Sequence, residues 1–427
     1  MADQLYFLEK ARELDATDPL SDFRSKFLGL HDDLIYLDGN SLGPLPAGTS
    51  ERLQTLLEDE WGNGLIRSWN SHWYDLPTRL GDLLAPLIGA NAGEVCFCDS
   101  VTVNLFKLAS AALGAMPDRE KIVTDTLNFP SDYYALEGLI GIHGNRHILE
   151  RIPSDDGITI DPQKLVDAID TDTVLVTLSH VVFKSGFMHE LEPICEKARK
   201  MGALVLVDLS HSVGSVPIDL SSWGVDLAVG CSYKYLNGGP GSTAFLYVRK
   251  ELQDQLQPQL AGWLGSDKPF DFDPHYKPIE GIRRFLVGTP PIVSLQAVEQ
   301  GIRLLLEAGM DQVRAKSIQQ TELLLDLYDA ILEPLGFSLG SPRDSSARGS
   351  HVSFKHSEAF RINKAMIHPP EGKPCIIPDF RTPNNLRLGI APLFISHEDI
   401  VRAVYRIQEI VVNNEYTAFS HESAAVT

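Results

Sequence analysis

Short apolar runs alternate with longer amphipathic segments through the middle of the chain. Each run predicts a buried parallel strand, because a strand covered on both faces carries apolar side chains at every position. The segments between the runs have apolar residues at helical spacing. This alternation is typical of a parallel sheet with helices on both faces. Strands are predicted at 121–124, 146–151, 173–178, 204–207, 226–230 and 243–248. A helix is also predicted at 47–61 and a shorter strand at 376–380.

The chain changes character after residue 250. Residues 251–291 are irregular and rich in proline and glycine, and two amphipathic helices are predicted at 292–308 and 310–332. Shorter strands and helices then mix, which is typical of an α+β unit. We expect an N-terminal segment at 1–50 that packs with the small domain, a large cofactor-binding domain at 51–308 and a small α+β domain at 309–427.

Polar residues stand where the apolar runs end. Ser179 and His180 follow the run at 173–178, and Asp208 ends the next run. The carboxyl ends of parallel strands share one edge of a sheet, and ligands bind at that edge. The sequence therefore predicts that these polar groups lie together beside a ligand.

Lys234 stands in a turn rich in small residues, Cys231 to Gly241, directly after a predicted strand. One interpretation is a surface lysine ahead of a flexible turn. The other is a Schiff-base lysine, which needs a fixed turn and an amine whose pKa is lowered by desolvation or a nearby cation. Asp208 favours the second interpretation. Pyridoxal phosphate requires a carboxylate that pairs with its pyridine nitrogen and a lysine that holds its aldehyde.

A predicted helix begins near Ser100 and Thr102. Its free N–H groups and its dipole make such a hydroxyl-rich start a seat for a phosphate, and a plain helix cap is the alternative. Phe129 follows the strand at 121–124. It can stack on a planar cofactor, or it can be a core residue that Pro130 positions.

Two further stretches have the composition of a binding site. Trp61, Trp69 and Trp73 are three of the five tryptophans, and polar residues and glycines lie between them. They line a pocket or belong to a core helix. The turn at 39–43 is either an ordinary loop or one whose glycines let the backbone approach a ligand closely.

Composition limits the class of protein. The chain has 427 residues and a net charge of −20, which argues against nucleic acid or an anionic membrane as a partner. No apolar run has the ~20 residues of a membrane span, and the first residues lack a basic region and a long apolar core. The five cysteines are scattered, and Cys96 and Cys98 have no partners at zinc spacing. We therefore expect a cytoplasmic protein without disulfides or a metal site.

Several longer motifs of the chain occur together. They are Tyr36-Leu-Asp-Gly-Asn-Ser-Leu-Gly43, Trp61-Gly-Asn-Gly-Leu-Ile-Arg-Ser-Trp69, Thr102-Val-Asn-Leu-Phe106, Asn128-Phe-Pro-Ser-Asp132, Asp208-Leu-Ser-His211, Gly230-Cys-Ser-Tyr-Lys-Tyr-Leu-Asn-Gly-Gly-Pro-Gly241, Gly262-Trp263 and Gly288-Thr-Pro-Pro-Ile292. With these motifs the chain resembles the kynureninase family, pyridoxal phosphate enzymes of the aspartate-aminotransferase fold group (fold type I, class V aminotransferase-like). The resemblance implies an α/β fold, with a mostly parallel seven-stranded sheet between helices and a smaller α+β domain.

The resemblance also implies site residues. The implied catalytic residues are Lys234, Tyr233 and Asp208. The implied cofactor-binding residues are Val101, Thr102, Phe129, Pro130, Ser131, Asp132, Ser179, Asp208, His211, Tyr233, Lys234, Trp263 and Thr289. The implied substrate-binding residues are Arg387, Trp69, Asn40 and Ser41. Arg387 is expected to pair with the substrate carboxylate, and Trp263 and Thr289 are expected to reach in from the second subunit of a homodimer.

The implied reaction is the hydrolysis of L-kynurenine to anthranilate and L-alanine, as part of tryptophan catabolism. Lys234 removes the α-proton, Asp208 keeps the pyridine nitrogen protonated, and Tyr233 acts as general acid or base. Trp69 lies where family members that favour 3-hydroxykynurenine carry a histidine, and Gly288-Thr289 replaces their Ser-Asn. We therefore expect a preference for L-kynurenine, with 3-hydroxy-L-kynurenine as the poorer substrate.

Two other interpretations remain open at this point. A cysteine desulfurase or selenocysteine lyase of the same fold needs a nucleophilic cysteine on a C-terminal loop, and Cys375 lies in such a loop. The tryptophan-rich segment and the apolar neighbours of Cys375 argue against it. A non-catalytic scaffold on the same fold would be favoured only if Lys234 were absent from the sequence, and Lys234 is present. One departure from the resemblance is the second residue of His180-Val-Val-Phe183.

Overall fold

The computed structural model describes residues 2–421. The strands are β1 (Phe27–Leu28), β2 (Leu34–Tyr36), β3 (Leu45–Pro46), β4 (Val95–Phe97), β5 (Lys121–Asp125), β6 (Ile148–Ile152), β7 (Thr173–Ser179), β8 (Leu204–Asp208), β9 (Leu227–Gly230), β10 (Phe245–Val248), β11 (Ser338–Leu339), β12 (His351–Lys355), β13 (Cys375–Ile377), β14 (Asp379–Arg381) and β15 (Asn385–Gly389). The α-helices are α1 (Ala2–Ala16), α2 (Ala47–Thr55), α3 (Leu76–Leu84), α4 (Val101–Ala115), α5 (Pro130–Ile142), α6 (Pro162–Ala168), α7 (Leu191–Met201), α8 (Leu220–Trp223), α9 (Ile292–Ala308), α10 (Met310–Leu327), α11 (Ala359–Ile367) and α12 (His397–Val412).

The large sheet has seven strands in the order β4-β10-β9-β8-β7-β5-β6. The five adjacent strands β9, β8, β7, β5 and β6 run parallel to one another, and β10 is antiparallel to both of its neighbours. This confirms the predicted mostly parallel sheet. Ser179 and Asp208 are register partners at the carboxyl ends of β7 and β8, so their side chains lie at the same edge of the sheet.

A second sheet forms near the C-terminus in the order β11-β12-β15-β14, with antiparallel pairing throughout. The N-terminal segment joins this part of the molecule. Strand β2 pairs in parallel with β13, α1 packs against α12, and Asp38 bridges to Gly389 beside β15. This pairing carries the turn at 39–43 to the end of β15. One apolar core runs through both sheets.

The structure corrects three element boundaries. The helix that begins at Ala47 ends at Thr55, and wide π-type turns follow from Leu56 to Gly64. Gly62 and Gly64, both poor helix formers, lie at the end of this stretch. The predicted helix at 310–332 likewise changes to π-type turns after Leu327.

The third corrected boundary is at 376–380. This predicted strand divides at Pro378 into β13 and β14, which pair with different partners, because proline has no N–H to donate to a sheet. Within residues 2–421, no helix is both long enough and apolar enough to span a bilayer. Residues 422–427 of the predicted C-terminal domain lie outside the described residues.

Candidate active site

A cavity of about 400 Å³ opens at the carboxyl edge of β7 and β8, a volume in the range of small-molecule sites. Its walls come from loops that are far apart in sequence. It is lined by Asp99, Ser100, Val101, Thr102, Phe129, Ser131, Ser179, Val181, Asp208, Ser210, His211, Cys231, Tyr233, Lys234, Gly241, Ser242 and Ala244. The fold therefore brings together most of the implied cofactor-binding residues.

Lys234 is held at the base of this cavity. Its Nζ lies 2.9 Å from Nε2 of His211 and faces the rings of Phe129 and Tyr233, at 5.9 and 5.8 Å from their centroids. The turn that carries it is packed against residues 39–43. Gly43 donates its N–H to the Tyr233 carbonyl at 2.7 Å, and a Cβ on Gly43 would lie 2.4 Å from the Lys234 carbonyl. Lys234 is thus a lysine on a fixed turn, and Gly43 permits close approach to protein backbone.

Two buried carboxylates lie close to Lys234. Asp208 lines the cavity, whereas Asp132 lies outside its lining. Asp208 ends β8, and its Oδ1 accepts the Ser210 N–H at 2.8 Å. Burial raises the pKa of Asp208, and the charge of Lys234 opposes that rise. Asp132, in the first turn of α5, has a pKa raised well above its usual value by burial and by the charge of Asp208. Asp132 Oδ2 has no hydrogen-bond partner within the described residues. A protonated ring nitrogen beside this pair would relieve the repulsion, which is what a pyridine nitrogen supplies.

The start of α4 forms the opposite wall. Ser100 caps this helix, because its Oγ accepts the Val103 N–H at 3.4 Å. Val101 and Thr102 are the first two helical residues and line the cavity. Their N–H groups have no acceptor within the helix, so they and the helix dipole favour an anion. The buried Lys107, 2.7 Å from Asp99, balances the one carboxylate on this wall. This wall fits a phosphate.

A hydrogen bond from the end of β7 holds the loop at 128–132 in place. Ser179 Oγ donates to Asn128 Oδ1 at 2.6 Å, and the same oxygen accepts the Phe129 N–H at 2.9 Å. Phe129 lines the cavity with part of its ring exposed and packs edge-on against Phe183. Pro130 is the first residue of α5 and lies outside the cavity lining. Phe129 is therefore available to cover a planar ring.

Tyr233 is the neighbour of Lys234 in the cavity wall. The adjacent Cys231 and burial raise the pKa of the Tyr233 phenol. The phenol consequently keeps its proton at neutral pH. In that state it is a proton donor placed beside the lysine.

Arg387 lies behind His211, outside the cavity lining, and is fully buried. It forms an ion pair with the buried Asp379 and donates to the Phe183 carbonyl. Its Nη2 also donates to Ser41 Oγ at 3.1 Å. With its amide oxygen turned toward the guanidinium, Asn40 accepts from Arg387 Nε at 2.9 Å. Arg387 is therefore in direct contact with two other implied substrate-binding residues, Asn40 and Ser41.

Three further predicted site residues, Trp69, Trp263 and Thr289, are also outside the cavity lining of their own chain. Trp263 and Thr289 are exposed on the irregular segment before α9. Trp69 lines a different cavity, with Arg52, His72, Tyr74 and Glu299 among its neighbours. Within one chain, the tryptophan-rich segment is thus separate from Lys234.

Two buried residues near the site were absent from the sequence-based prediction. Asp379 is the ion-pair partner of Arg387, and His351 packs against His211 with a ring-centroid distance of 5.5 Å. Both lie on strands of the small sheet, and their sequence neighbours are ordinary strand residues. No local motif marks them, because Asp379 reaches Arg387 through strand pairing and His351 reaches His211 through tertiary packing.

Cys375 is not among the residues that line the cavity. It is the first residue of β13, it is half-buried, and its thiol donates to the Ile367 carbonyl at 3.4 Å. Burial raises the pKa of this thiol. A thiol with a raised pKa outside the cavity has the properties of a structural cysteine.

Comparison with known proteins identifies the group to which this fold and site belong. The family "Aminotransferase class-V" matches residues 35–366. A kynureninase of Pseudomonas fluorescens is 43% identical over 93% of this chain and 94% of its own length. A kynureninase of Burkholderia pseudomallei is 41% identical over 96% and 97%, respectively.

Solved structures share the fold at lower identity. The cysteine desulfurase of Thermococcus onnurineus superimposes with a TM-score of 0.77 at 22% identity, over 92% of this chain and 98% of that one. A C-DES mutant with glycine covalently linked to its PLP cofactor gives 0.78 at 20% identity, over 90% and 99%. These structures support the α/β fold alone, whereas the full-length relatives define the family. The chain belongs to the kynureninase family of class-V aminotransferase-like, pyridoxal phosphate-dependent enzymes.

Proposed function

We propose that this protein hydrolyses L-kynurenine to anthranilate and L-alanine with pyridoxal phosphate bound at Lys234. The observation that carries this proposal is the position of Lys234, whose Nζ lies 2.9 Å from His211 in a cavity that Asp208 also lines. The buried Asp132 lies close to both Asp208 and Lys234. Family membership supplies the substrate. The reaction belongs to tryptophan catabolism.

The residues present fit the cofactor. Lys234 would hold its aldehyde carbon, Asp208 with Asp132 would pair with its ring nitrogen, and Phe129 would cover its ring. The helix start at Val101 and Thr102 would hold the phosphate. Other contacts come from Ser131, Ser179, His211 and Tyr233, which line the same cavity. When bound, the cofactor supplies an electron sink for the negative charge that develops on the substrate.

Proton transfers are the work of the chain's own residues. The Lys234 amine, released when substrate takes its place, removes the α-proton. Asp208 holds the proton on the ring nitrogen. Tyr233 keeps its phenolic proton at neutral pH and donates it to the leaving carbon after water has added to the γ-carbonyl.

Arg387 binds the substrate carboxylate together with Asn40 and Ser41. A planar guanidinium suits this role because it pairs with a carboxylate through two parallel hydrogen bonds. Asp379 and Asn40 hold the guanidinium in place before substrate arrives. The amino-acid end of the substrate therefore lies between the N-terminal turn at 39–43 and strand β15.

The aryl end of the site is completed by a second subunit in this proposal. Trp263 and Thr289 are exposed and outside the cavity lining of their own chain, as expected for residues that serve a partner in a homodimer. Trp69 contributes to the aryl pocket and favours the unsubstituted ring of L-kynurenine. We also propose the domain division at 1–50, 51–308 and 309–427, and a cytoplasmic location.

The test is the visible absorption spectrum of the purified protein after reconstitution with pyridoxal phosphate. A yellow protein that releases anthranilate from L-kynurenine supports the proposal. A colourless protein rejects the cofactor assignment. A yellow protein that ignores kynurenine and releases sulfide from cysteine supports the desulfurase alternative, and loss of that release in Cys375→Ala would identify its nucleophile.

A further inference from the structure

His351 is a buried histidine without an assigned role. It is the first residue of β12 and has no exposed surface. Backbone at Val182 lies close to its ring, but neither ring nitrogen makes a hydrogen bond of normal geometry with the described residues. A buried polar group without a hydrogen-bond partner destabilises the folded protein. Its presence therefore calls for an explanation, such as a role in another state of the protein.

The position of His351 suggests that purpose. Its ring centroid is 5.5 Å from that of His211, and the two planes are inclined by 57°. His211 in turn places Nε2 2.9 Å from the Lys234 amine. His351 therefore stands directly behind the residue that contacts the reactive nitrogen.

Both imidazoles are neutral at physiological pH. Burial is the main cause that lowers the pKa of each histidine well below its usual value. The charges of Lys234, Arg387 and Arg381 lower both pKa values further. A neutral His211 that accepts the Lys234 ammonium proton at Nε2 must carry its own proton at Nδ1. Nδ1 of His211 is also buried and has no partner in the described part of the chain.

We propose that His351 is a positioning residue that orients the His211 ring so that Nε2 points at the nitrogen of Lys234. The two rings are in contact but are not hydrogen-bonded in this structure. A rotation of the neutral imidazole at position 351 would let it accept the Nδ1 proton of His211, and it would thereby select the tautomer whose Nε2 is free. A phenyl ring of similar size cannot do this. Because β12 pairs with β15, which carries Arg387, the small sheet supports both the substrate carboxylate site and the lysine. This inference rests on the proposed role of Lys234.

The test compares holoenzymes with the substitutions His351→Phe and His351→Gln. In the wild type, Nε2 of His211 stabilises the positively charged form of the Lys234 nitrogen. Loss of that contact should lower the pH midpoint of the visible absorbance by about one unit in His351→Phe, a tenfold change in proton affinity. We expect kcat to fall about tenfold with KM nearly unchanged, since Arg387 is untouched. The glutamine variant, which keeps an acceptor oxygen, should recover most of both losses.

His147→Phe is a matched control. His147 is also buried, both of its ring nitrogens lack partners among the described residues, and it packs on His143 at 5.4 Å. It lies beside β6 at the far edge of the sheet. This variant should keep the wild-type midpoint and kcat. If His351→Phe does not fold, His351→Asn, a smaller side chain too short to reach His211, should show the same shift.

Other outcomes reject the inference. An unchanged midpoint in a folded His351→Phe protein means that the histidine only fills space. A rise in KM without a shift in midpoint means that it acts through Arg387. Neither result affects the proposed function, which would fail separately if the wild-type protein had no visible band.

Discussion

Asp379 and Arg387 lie directly opposite each other on the antiparallel strands β14 and β15, and neither side chain is exposed. The arginine is thus held by its cross-strand neighbour, and its remaining donors reach Ser41, Asn40 and a backbone carbonyl. A buried ion pair contributes little net stability, because desolvation of both charges offsets their attraction. Its main effect here is to fix the direction of the guanidinium.

Arg387→Leu should therefore produce two separable effects. Substrate binding should weaken by about 2–5 kcal/mol, because the substrate carboxylate loses its partner in a desolvated site. The free energy of unfolding should also fall, toward the lower end of about 3–5 kcal/mol, since the partly exposed Arg381 still pairs with Asp379 at 3.1 Å. Steady-state kinetics and urea denaturation measure the two effects.

The double variant Arg387→Leu with Asp379→Leu separates the effect on substrate binding from the effect on stability. It should regain most of the lost stability, because no buried charge remains uncompensated, while KM stays high. An unchanged KM in either variant would place the carboxylate site elsewhere.

Lys234→Ala should lose the yellow band and all measurable turnover. The lysine is the only residue of the cavity lining with an amine that can bind the cofactor aldehyde. Lys200→Ala is a suitable control, because Lys200 is exposed on α7 and pairs only with Glu196 one turn away. Absorbance and anthranilate fluorescence report the two properties. Turnover by the Lys234 variant at the wild-type rate would exclude the proposed role.

Asp208→Asn should still bind pyridoxal phosphate but lose most of its activity, by about a hundredfold or more. A neutral amide cannot hold the proton on the ring nitrogen, so the electron sink weakens. Asp226→Asn controls for the loss of a buried acid, since Asp226 pairs with Arg249 at the other end of the sheet. That control should lose stability and keep kcat. A near-normal kcat in Asp208→Asn would mean that Asp208 has no catalytic role and only caps the end of its strand.

Asp38 should make the stability of the protein depend on pH. Burial and the charge of Asp379 raise the pKa of Asp38 from 3.8 to about 6. The folded protein therefore binds this proton more tightly than the unfolded chain does. The resulting stability is present below pH 4 and is lost as the pH rises from about 4 to about 6. Two pKa units correspond to at most about 3 kcal/mol.

Asp38→Asn should remove this dependence. The variant should be more stable than the wild type at pH 7–8, and the difference should vanish near pH 4. Thermal or urea unfolding across this range measures it. Asp33→Asn, an exposed acid on the same segment, should leave the profile unchanged. A variant that is less stable than the wild type at pH 8 would show that the ionised Asp38 stabilises the Arg387 cluster.

The preference for L-kynurenine should shift in the triple variant Trp69→His, Gly288→Ser and Thr289→Asn. The added polar groups can bond the 3-hydroxyl of the alternative substrate, and they are left unpaired with the unsubstituted ring. Since one hydroxyl is worth about 1–3 kcal/mol in such a pocket, the ratio of kcat/KM for the two substrates should change by about 10–100-fold. A wild type that already prefers 3-hydroxykynurenine, or a triple variant with an unchanged ratio, contradicts this role of Trp69 and Thr289.

The sequence by itself determined the large sheet and the chemistry of its edge. Buried parallel strands such as β7 and β8 are continuous apolar runs, so both their positions and their polar ends at Ser179 and Asp208 can be read locally. Lys234 could be read in the same way from its turn. These features depend on neighbours in sequence.

Only the tertiary structure decided what surrounds Arg387 and His211. Asp379 reaches Arg387 through strand pairing, Asn40 and Ser41 reach it through the packing of an N-terminal turn, and His351 reaches His211 from another sheet. Contacts between residues hundreds of positions apart leave no periodic pattern in a sequence, because burial and pairing there arise from the packing of whole elements. Pro378 can be read in the sequence, but only the folded sheet shows that the chain divides there into β13 and β14. This division places Asp379 opposite Arg387.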